Sequence, residues 1–435
     1  MVVGAQGVPL AFSQTAAGTL VGIQKVAVTA LKQDWICCQI GAREHYAISR
    51  ALARANSLAR LITDSWVSPK SLFGRLLSRE KAALSSRFHE ELTQARVTAF
   101  NIALFQFELI ARSRCLRGWD KVNARNRWFQ RKAIASLTSD LRSLSSTPPV
   151  LFSYSYAARD IFRFAKVQGW KTVLGQIDPG PMEEEIVAAE AERDPSLAPD
   201  RTRAPADYWK SWRDECDVAD RIIVNSQWSF DTLVQTGIPK EKLSMIPLAF
   251  ENNIPSVLPK EYPKQFTATR PLRVLFLGQI NLRKGIARLL KVARSLQSQP
   301  VEFLMVGPIQ INIPEDLRSN RKIRWFGPVA RHKVRNYYEQ ADVFILPTLS
   351  DGFALTQLEA IAHRLPVIAS RRCGEVVTDH VNGLLLEEPT AAAIEEALRS
   401  CLHSPDQLAQ FSENATVGER FSLSCLGAQL CTLAW

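Results

Sequence analysis

The sequence predicts an α/β protein built from two parallel sheets, and three observations carry that prediction. Short continuous apolar runs, such as Val343-Phe-Ile-Leu346 and Val301 to Val306, end in Gly, Pro or Ser turns, as strands covered on both faces do. Stretches of helical periodicity follow such runs, and βα alternation argues for a parallel sheet. Residues from about 252 to 271 hold four prolines and few periodic apolar positions, so they read as a linker between two domains. A chain of 435 residues has room for a full core in each.

Composition is globular, with 46% hydrophobic and 22% charged residues. Eight cysteines are scattered, with one adjacent pair, Cys37-Cys38, and no Cys-x-x-Cys. Neither a disulfide framework nor a zinc site is indicated, and reduced thiols in a cytosol fit best. Residues 1–24 carry no charge but lack a basic start, so a signal peptide fits poorly. No run approaches the ~18 apolar residues that span a bilayer. Residues 1–31 are expected to form a weakly ordered extension, and 32–255 an amino-terminal domain.

That domain opens with a strand, Trp35 to Ile40. A loop at Gly41-Ala-Arg-Glu-His45 and a helix expected from Tyr46 to Ile62 complete the start of a Rossmann-like unit. Val150 to Tyr156 and Thr172 to Ile177 are further strand-to-loop junctions, the second running into Asp178-Pro-Gly-Pro181. Asp178 can be a turn residue there. Glu183-Glu184-Glu185 begins a helix, where acids suit the dipole. Ala219 to Ser226 is a strand running into a helix start.

Charge is one-sided. Residues 1–150 carry 21 Lys and Arg against 9 Asp and Glu, a balance of +12, which leaves the other 285 residues near −1. Arg112, Arg114, Arg117, Lys121, Arg125, Arg127, Arg131 and Lys132 are interleaved with Phe100, Phe105, Phe107, Trp119, Trp128 and Phe129. Such a segment can lie on an anionic membrane surface. It can equally be solvated charge over a buried aromatic face. No nucleic-acid motif accompanies it, so nucleic acid is not an expected partner.

In the second half, the strand Leu272 to Gly278 leads to the loop Gln279 to Arg283. Lys284-Gly285 then opens a helix with Ile286, Leu289, Leu290 and Ala293 inward. Lys322 to Phe326 leads to the turn Gly327-Pro-Val329. Pro347 to Ser370 reads as a strand end, a tight loop at Ser350-Asp351-Gly352, a helix from Phe353 to His363, and another strand. A helix starting at the carboxyl end of a parallel strand offers unpaired N–H groups, where a phosphate fits. Asp351 lies before the first turn and Glu359 about two turns along. One carboxylate can sit at the mouth of the loop while the other reaches a sugar hydroxyl.

The run Asp351-Gly-Phe-Ala-Leu-Thr-Gln-Leu-Glu359-Ala360 resembles the Glu-x7-Glu signature of retaining GT-B glycosyltransferases, closest to glycosyltransferase family four. The family pattern is roughly Glu-Gly-Phe-Gly-Leu-x-x-x-Glu-Ala. Asp351 replaces its first Glu and Ala354 its second Gly. Gln279 stands in place of an Arg, and Arg364 in place of a Gly. The histidine that relatives carry near the reacting carbon has no counterpart, since Tyr154, Tyr156, Gln176 and Asp178 occupy those places. The likeness covers about 219–400 well and 32–218 in outline.

The resemblance implies a GT-B architecture, two Rossmann-like domains facing across a cleft. Residues 268–404 would bind a nucleotide-sugar, with UDP or GDP as carrier, and 405–435 would pack back on the first domain. Glu359 would bond a ribose hydroxyl. Lys284, Gln279 and the Phe353, Ala354 and Leu355 amides would neutralise the diphosphate, with Arg283 compensating for the missing Arg. Gly278 and Gly352 would line the donor loops, and Val329 would lie beside the base. Asp351 would position the transferred sugar, with His45 and Asp178 facing it from the first domain. The implied activity is retaining transfer of a hexosyl-type sugar to a glycan, lipid-linked or small-molecule acceptor in polysaccharide or glycoconjugate synthesis. No cofactor is expected. No Asp-x-Asp occurs, which favours a metal-independent site. The expected location is cytoplasmic, with peripheral contact at the inner face of the membrane. The alternatives are a scaffold that binds nucleotide or glycan without turnover, or a GT-B epimerase or phosphorylase.

Overall fold

The computed structural model describes residues 33–68, 87–141, 147–198, 202–252, 254 and 257–435. The extension expected at 1–31 lies outside the described residues.

Seven parallel strands form the first sheet: β1 (Trp35–Gln39), β2 (Leu58–Thr63), β3 (Val97–Ala99), β4 (Val150–Tyr154), β5 (Lys171–Gly175), β6 (Arg221–Val224) and β7 (Leu243–Met245). Their spatial order is β3-β2-β1-β4-β5-β6-β7. Six parallel strands form the second: β8 (Leu272–Leu277), β9 (Val301–Val306), β10 (Ile323–Gly327), β11 (Val343–Leu346), β12 (Val367–Ser370) and β13 (Gly383–Leu386), in the order β10-β9-β8-β11-β12-β13. The expected pair of Rossmann-like α/β domains is therefore present. Each sheet reverses its winding direction once, between β1 and β4 and between β8 and β11. Ligands of such sheets bind beyond the carboxyl ends of the strands at that reversal.

Strand residues alternate between two buried faces. Ile36, Cys38, Leu151, Leu174 and Ile222 enter one core of the first domain. Trp35, Cys37, Phe152, Val173 and Ile223 enter the other. The adjacent cysteines thus point to opposite sides of the sheet, and burial pushes the Cys37 thiol up to about 12. These are packing residues, not reactive ones.

The helix expected over 46–62 stops at Arg54, and Leu58–Thr63 is β2. Asn56 takes a left-handed conformation (φ 53°) and Ser57 N donates to Leu52 O at 2.8 Å, a terminating loop that closes the helix. The helix expected from Phe353 runs instead over Leu355–Ala362. Phe353 turns into the core beside Phe421, with ring centroids 6.0 Å apart, and Ala354 is extended. Arg364 is left-handed (φ 56°), which suits the Gly of the family pattern. Its side chain donates to Glu413 O at 3.0 Å and Val257 O at 3.3 Å, so it straps two distant segments together.

The chain crosses between the domains twice. The linker side reaches the second domain through Lys260 Nζ, which donates to Tyr338 O and Glu339 O, both at 2.9 Å. Within 405–435, Leu408 and Phe411 lie in the second domain's core. Leu423, Leu426 and Leu430 of the helix Leu423–Cys431 lie in the first domain's core. The two crossings touch, with Phe250 N donating to Phe421 O at 2.7 Å.

Candidate active site

At the reversal of the second sheet, the loop after β8 meets the loop after β11. Gly285 makes this possible: it has φ 73°, and a Cβ there would lie 1.9 Å from Pro347 O. Leu349 N and Thr348 Oγ1 donate to Arg283 O at 2.8 and 3.1 Å. Asp351 is thereby set against two cations. Lys284 Nζ bonds Asp351 Oδ2, and Arg283 Nη1 lies 3.4 Å from Oδ1. Burial works against charge on Asp351, but Lys284 and Arg283 outweigh it and hold the carboxyl down at about 2.

Behind Asp351, the helix Leu355–Ala362 starts without a side-chain cap, and of its first turn Gln357 N donates to Ala354 O at 3.1 Å. Glu359 emerges further along that helix. Tyr338 Oη donates to its Oε2 at 2.8 Å, and burial raises its pKa against the pull of Tyr338 and Arg331. Glu359 and Leu355 line a cavity of about 250 Å³ together with His45, Arg50 and Arg331.

The first domain supplies the facing wall. After β1, three successive residues, Glu44, His45 and Tyr46, are left-handed (φ 52°, 51° and 61°). This conformation is unfavourable for side chains with a Cβ and persists where surroundings fix it. The fixing bonds are visible. Gly41 N donates to Asp64 Oδ1 at 2.8 Å, Tyr154 Oη to Glu44 Oε2 at 3.1 Å, and Tyr46 Oη to Ser65 O at 3.3 Å. Asp64 is buried between Arg87 and Arg125, at 2.9 and 2.5 Å. The outcome is that His45 bonds Arg331 of the second domain. Burial first, then Arg331 and Arg50, lower the His45 pKa to about 4, so the ring is neutral at pH 7.

A second wall comes from the ends of β4 and β5. Asp178 Oδ1 accepts from Tyr156 Oη at 2.5 Å, from Gly180 N at 2.9 Å and from Gln176 Nε2 at 3.2 Å. Burial raises its pKa. Glu183 lies in the first turn of the helix Pro181–Arg193 and reaches across to Arg283 at 3.7 Å. Burial pushes its pKa up to about 8, opposed by Arg283 and aided by Asp178 and Asp351. Fully buried Glu215 holds the β4 loop by accepting from the N–H groups of Tyr156, Ala158 and Arg159 at 2.6 to 3.2 Å.

The domains meet tightly here. A Cβ on Gly352 would lie 2.2 Å from Ile177 O of the first domain. Trp228 Nε1 donates to Ser350 Oγ at 3.1 Å, and Gln227 N donates to Glu375 Oε1 at 2.8 Å. Glu190 receives the Arg288 guanidinium at 2.9 and 3.0 Å.

Of the residues singled out from the sequence, Arg283, Lys284, Asp351, Gly352 and Asp178 converge. Leu355, Glu359 and His45 share the neighbouring cavity. Phe353 and Ala354 link the two, Phe353 as a core residue. Gly278 follows β8, and Gln279 is exposed, its Oε1 3.4 Å from Asn281 Nδ2. Val329 is half-buried at the end of β10. Arg331 and Glu44 carry no signal in the sequence, and Tyr154 is marked there only as one of the residues standing where relatives carry a histidine. Glu183 does carry one, but its acidity was accounted for by the helix dipole alone.

Residues 259–417 match the family model described as Glycosyl transferases group 1. Over 181 residues the chain is 26% identical to the amylovoran biosynthesis glycosyltransferase AmsK of Erwinia amylovora, covering 37% of this chain and 42% of that protein. It is 27% identical over 234 residues to D-inositol 3-phosphate glycosyltransferase 2 of Catenulispora acidiphila, covering 49% and 55%. The chain spans about half the length of the curated relatives it matches. The fold superposes on Anabaena Alr3699/HepE, solved in complex with UDP-glucose, with a TM-score of 0.55, 15% identity and coverage of 91% of this chain and 98% of that one. Crystalline TarM gives a TM-score of 0.58 at 11% identity, covering 92% and 98%. The architecture is GT-B, and the group 1 glycosyltransferase match falls on the domain that holds Lys284, Asp351 and Glu359.

Proposed function

We propose that this protein is a retaining, metal-independent glycosyltransferase that moves a sugar from a nucleotide-sugar to a glycan, lipid-linked or small-molecule acceptor in polysaccharide or glycoconjugate synthesis. One observation carries the reading: Lys284 and Arg283 converge with Asp351 at the reversal of the second sheet, with Glu359 on the helix that follows. The glycosyltransferase roles of the relatives and the UDP-glucose bound by HepE support the donor class. In this reading Glu359 accepts a hydrogen bond from a ribose hydroxyl. Lys284, Arg283 and the first-turn amides of Leu355–Ala362 neutralise the diphosphate as its bond to the anomeric carbon breaks. Asp351, held ionised at neutral pH by Lys284 and Arg283, accepts from hydroxyls of the transferred sugar. Neutral His45 can donate or accept at the cavity it shares with Glu359. Retention follows from the family resemblance: the acceptor oxygen bonds the face that the diphosphate leaves, and its proton passes to the departing phosphate.

The test is thermal unfolding with UDP, GDP, ADP and their sugar conjugates, for the wild type and Glu359→Ala. A ligand at ~100 times its Kd stabilises by roughly 2.7 kcal/mol. A shift with one nucleotide that the variant loses identifies the donor site and the base. No shift with any of them overturns the reading in favour of a scaffold without nucleotide chemistry. Inorganic phosphate that releases sugar phosphate from a glycan would mark a phosphorylase, and interconversion of sugar-nucleotides an epimerase.

Contact with an anionic membrane surface belongs to the same proposal. No helix among the described residues is long and apolar enough to cross a bilayer. The helix Asn101–Ser113, however, exposes Ile102, Phe105, Leu109 and Ile110, which are 49–77% accessible. Exposed Arg112, Arg114 and Arg117 continue from its end. Apolar side chains beside cations match anionic lipid headgroups in charge and depth. Sedimentation with phosphatidylglycerol vesicles at low salt, lost at high salt and in Phe105→Asp, is the expected result. Failure to sediment leaves the +12 half a solvated surface.

A further inference from the structure

A cavity larger than the one beside Glu359 lies apart from it. It measures about 610 Å³, shares no lining residue with that cavity, and is divided between the domains. The first domain gives it aromatic walls. Tyr156 and Tyr208 stack at 4.8 Å and 16°, with Trp119 and Trp209 set at 4.8 and 5.1 Å from Tyr208. The second domain gives it amides, Asn281, Gln310 and Asn312. Asp178 and Glu183 lie where it borders Arg283, which in turn touches Asp351.

Three features of this lining select a ligand. Aromatic faces match the C–H faces of a pyranose, while carboxylates and amides match its hydroxyl edges. Glu183 Oε2 is buried with no hydrogen-bond partner, so an incoming hydroxyl or amine would satisfy it. Among the described residues of the lining one is a cation, Arg283, and it is already shared between Asp351, Glu183 and Ser350 O, whereas Asp178, Glu183 and Glu184 are all acids. A phosphate or carboxylate entering here would give up its hydration without meeting an unengaged cation among the described residues.

We propose that this cavity is the acceptor subsite, and that it takes a neutral or amino-bearing sugar and rejects phosphorylated or carboxylated ones. The proposal rests on the donor reading in one respect: the cavity borders the Arg283–Asp351 pair, so a sugar held in it has a hydroxyl next to the transferred one. Because its aromatic wall and its amides lie in different domains, the subsite is complete only with the cleft closed.

Sugar binding is read directly on the nucleotide-free protein by saturation-transfer NMR, with methyl glucoside, glucosamine, glucuronate and glucose 6-phosphate as probes. Signals from methyl glucoside and glucosamine at least fivefold above the two anions are expected. Tyr208→Ala should lose them about tenfold, Tyr208→Phe should keep them, and both should retain the wild-type unfolding temperature. Equal or stronger signals from the anions, no signal from any probe, or an unchanged signal in Tyr208→Ala each overturn the proposal. A failure of nucleotide binding, measured separately by thermal shift, overturns the donor reading and leaves this result standing.

Discussion

The two domains share one strand order, yet they hold their site residues in different ways. In the second domain, Arg283, Lys284 and Asp351 sit on two loops that begin within a few residues of buried strands. The backbone of each loop fixes the other, through Gly285 against Pro347 and through the bonds to Arg283 O. In the first domain, His45 is held by a left-handed run whose supports come from Asp64, Tyr154 and Ser65, and the β4 loop by Glu215. The lesson is that a site built from short-range geometry tolerates little change in its own loop. A site built from distant supports can be damaged from outside it.

The sharpest test of that contrast is Lys284→Ala. Loss of one preorganised charge at a leaving group lowers kcat by about 10²–10³-fold. The nucleotide-induced thermal shift should vanish with it. Removing Lys284 also leaves Asp351 with only Arg283, so Lys284→Ala combined with Asp351→Asn should recover stability without recovering turnover. Recovery of activity in the double variant would break the comparison.

Next in size is Gly285→Ala. Its methyl would overlap Pro347 O, and its φ is left-handed, so a loss of at least about 1–3 kcal/mol in chemical unfolding is expected. The distant-support side has its counterpart in Glu215→Ala. That change strands three N–H groups, of which the buried Ala158 N–H costs about 1–3 kcal/mol when unpaired and the half-buried Tyr156 and Arg159 N–H groups less. It should weaken folding without touching nucleotide affinity once folded.

His45→Ala should cost less than tenfold in kcat/KM, because the ring is neutral and supplies a hydrogen bond rather than a charge. A loss matching that of Lys284→Ala would place the two walls on an equal footing. The smallest effect is in Glu183→Gln. A carboxyl raised to about 8 when folded keeps a proton that the unfolded chain releases near its ordinary pKa of 4.5. Folding stability therefore falls as pH rises between those values. The Gln variant should show a flatter stability profile across that window, and an unchanged slope would mean that Glu183 ionises normally.

The same contrast explains what could be read from the sequence. Strands β8, β9 and β11 were legible because they are continuous apolar runs with a glycine or proline at the end. Lys284, Asp351 and Glu359 were legible because a loop and one helix fix their spacing. Strand β2 was not, since Leu58–Thr63 continues a helical periodicity and only Asn56 breaks it. Arg331 gave no sign, because its contact with His45 spans 286 positions in the chain. Glu183 was read as a helix-start acid, which it is. Its opposite role, facing Arg283, depends on how two separately folded sheets abut, and no local pattern encodes that.

The bond between Phe250 N and Phe421 O has a mechanical consequence. Two threads that cross between two bodies side by side, and are tied to each other, permit a swing but resist a slide. Were the cleft to open, this tie would favour a rotation about the line where Phe250 and Phe421 meet, and groups far from that axis would separate most. Substrate would enter at the wide end and product leave there. A covalent link replacing the Glu190–Arg288 pair would lock the jaw, whereas one between residues 250 and 421 would leave it free to turn.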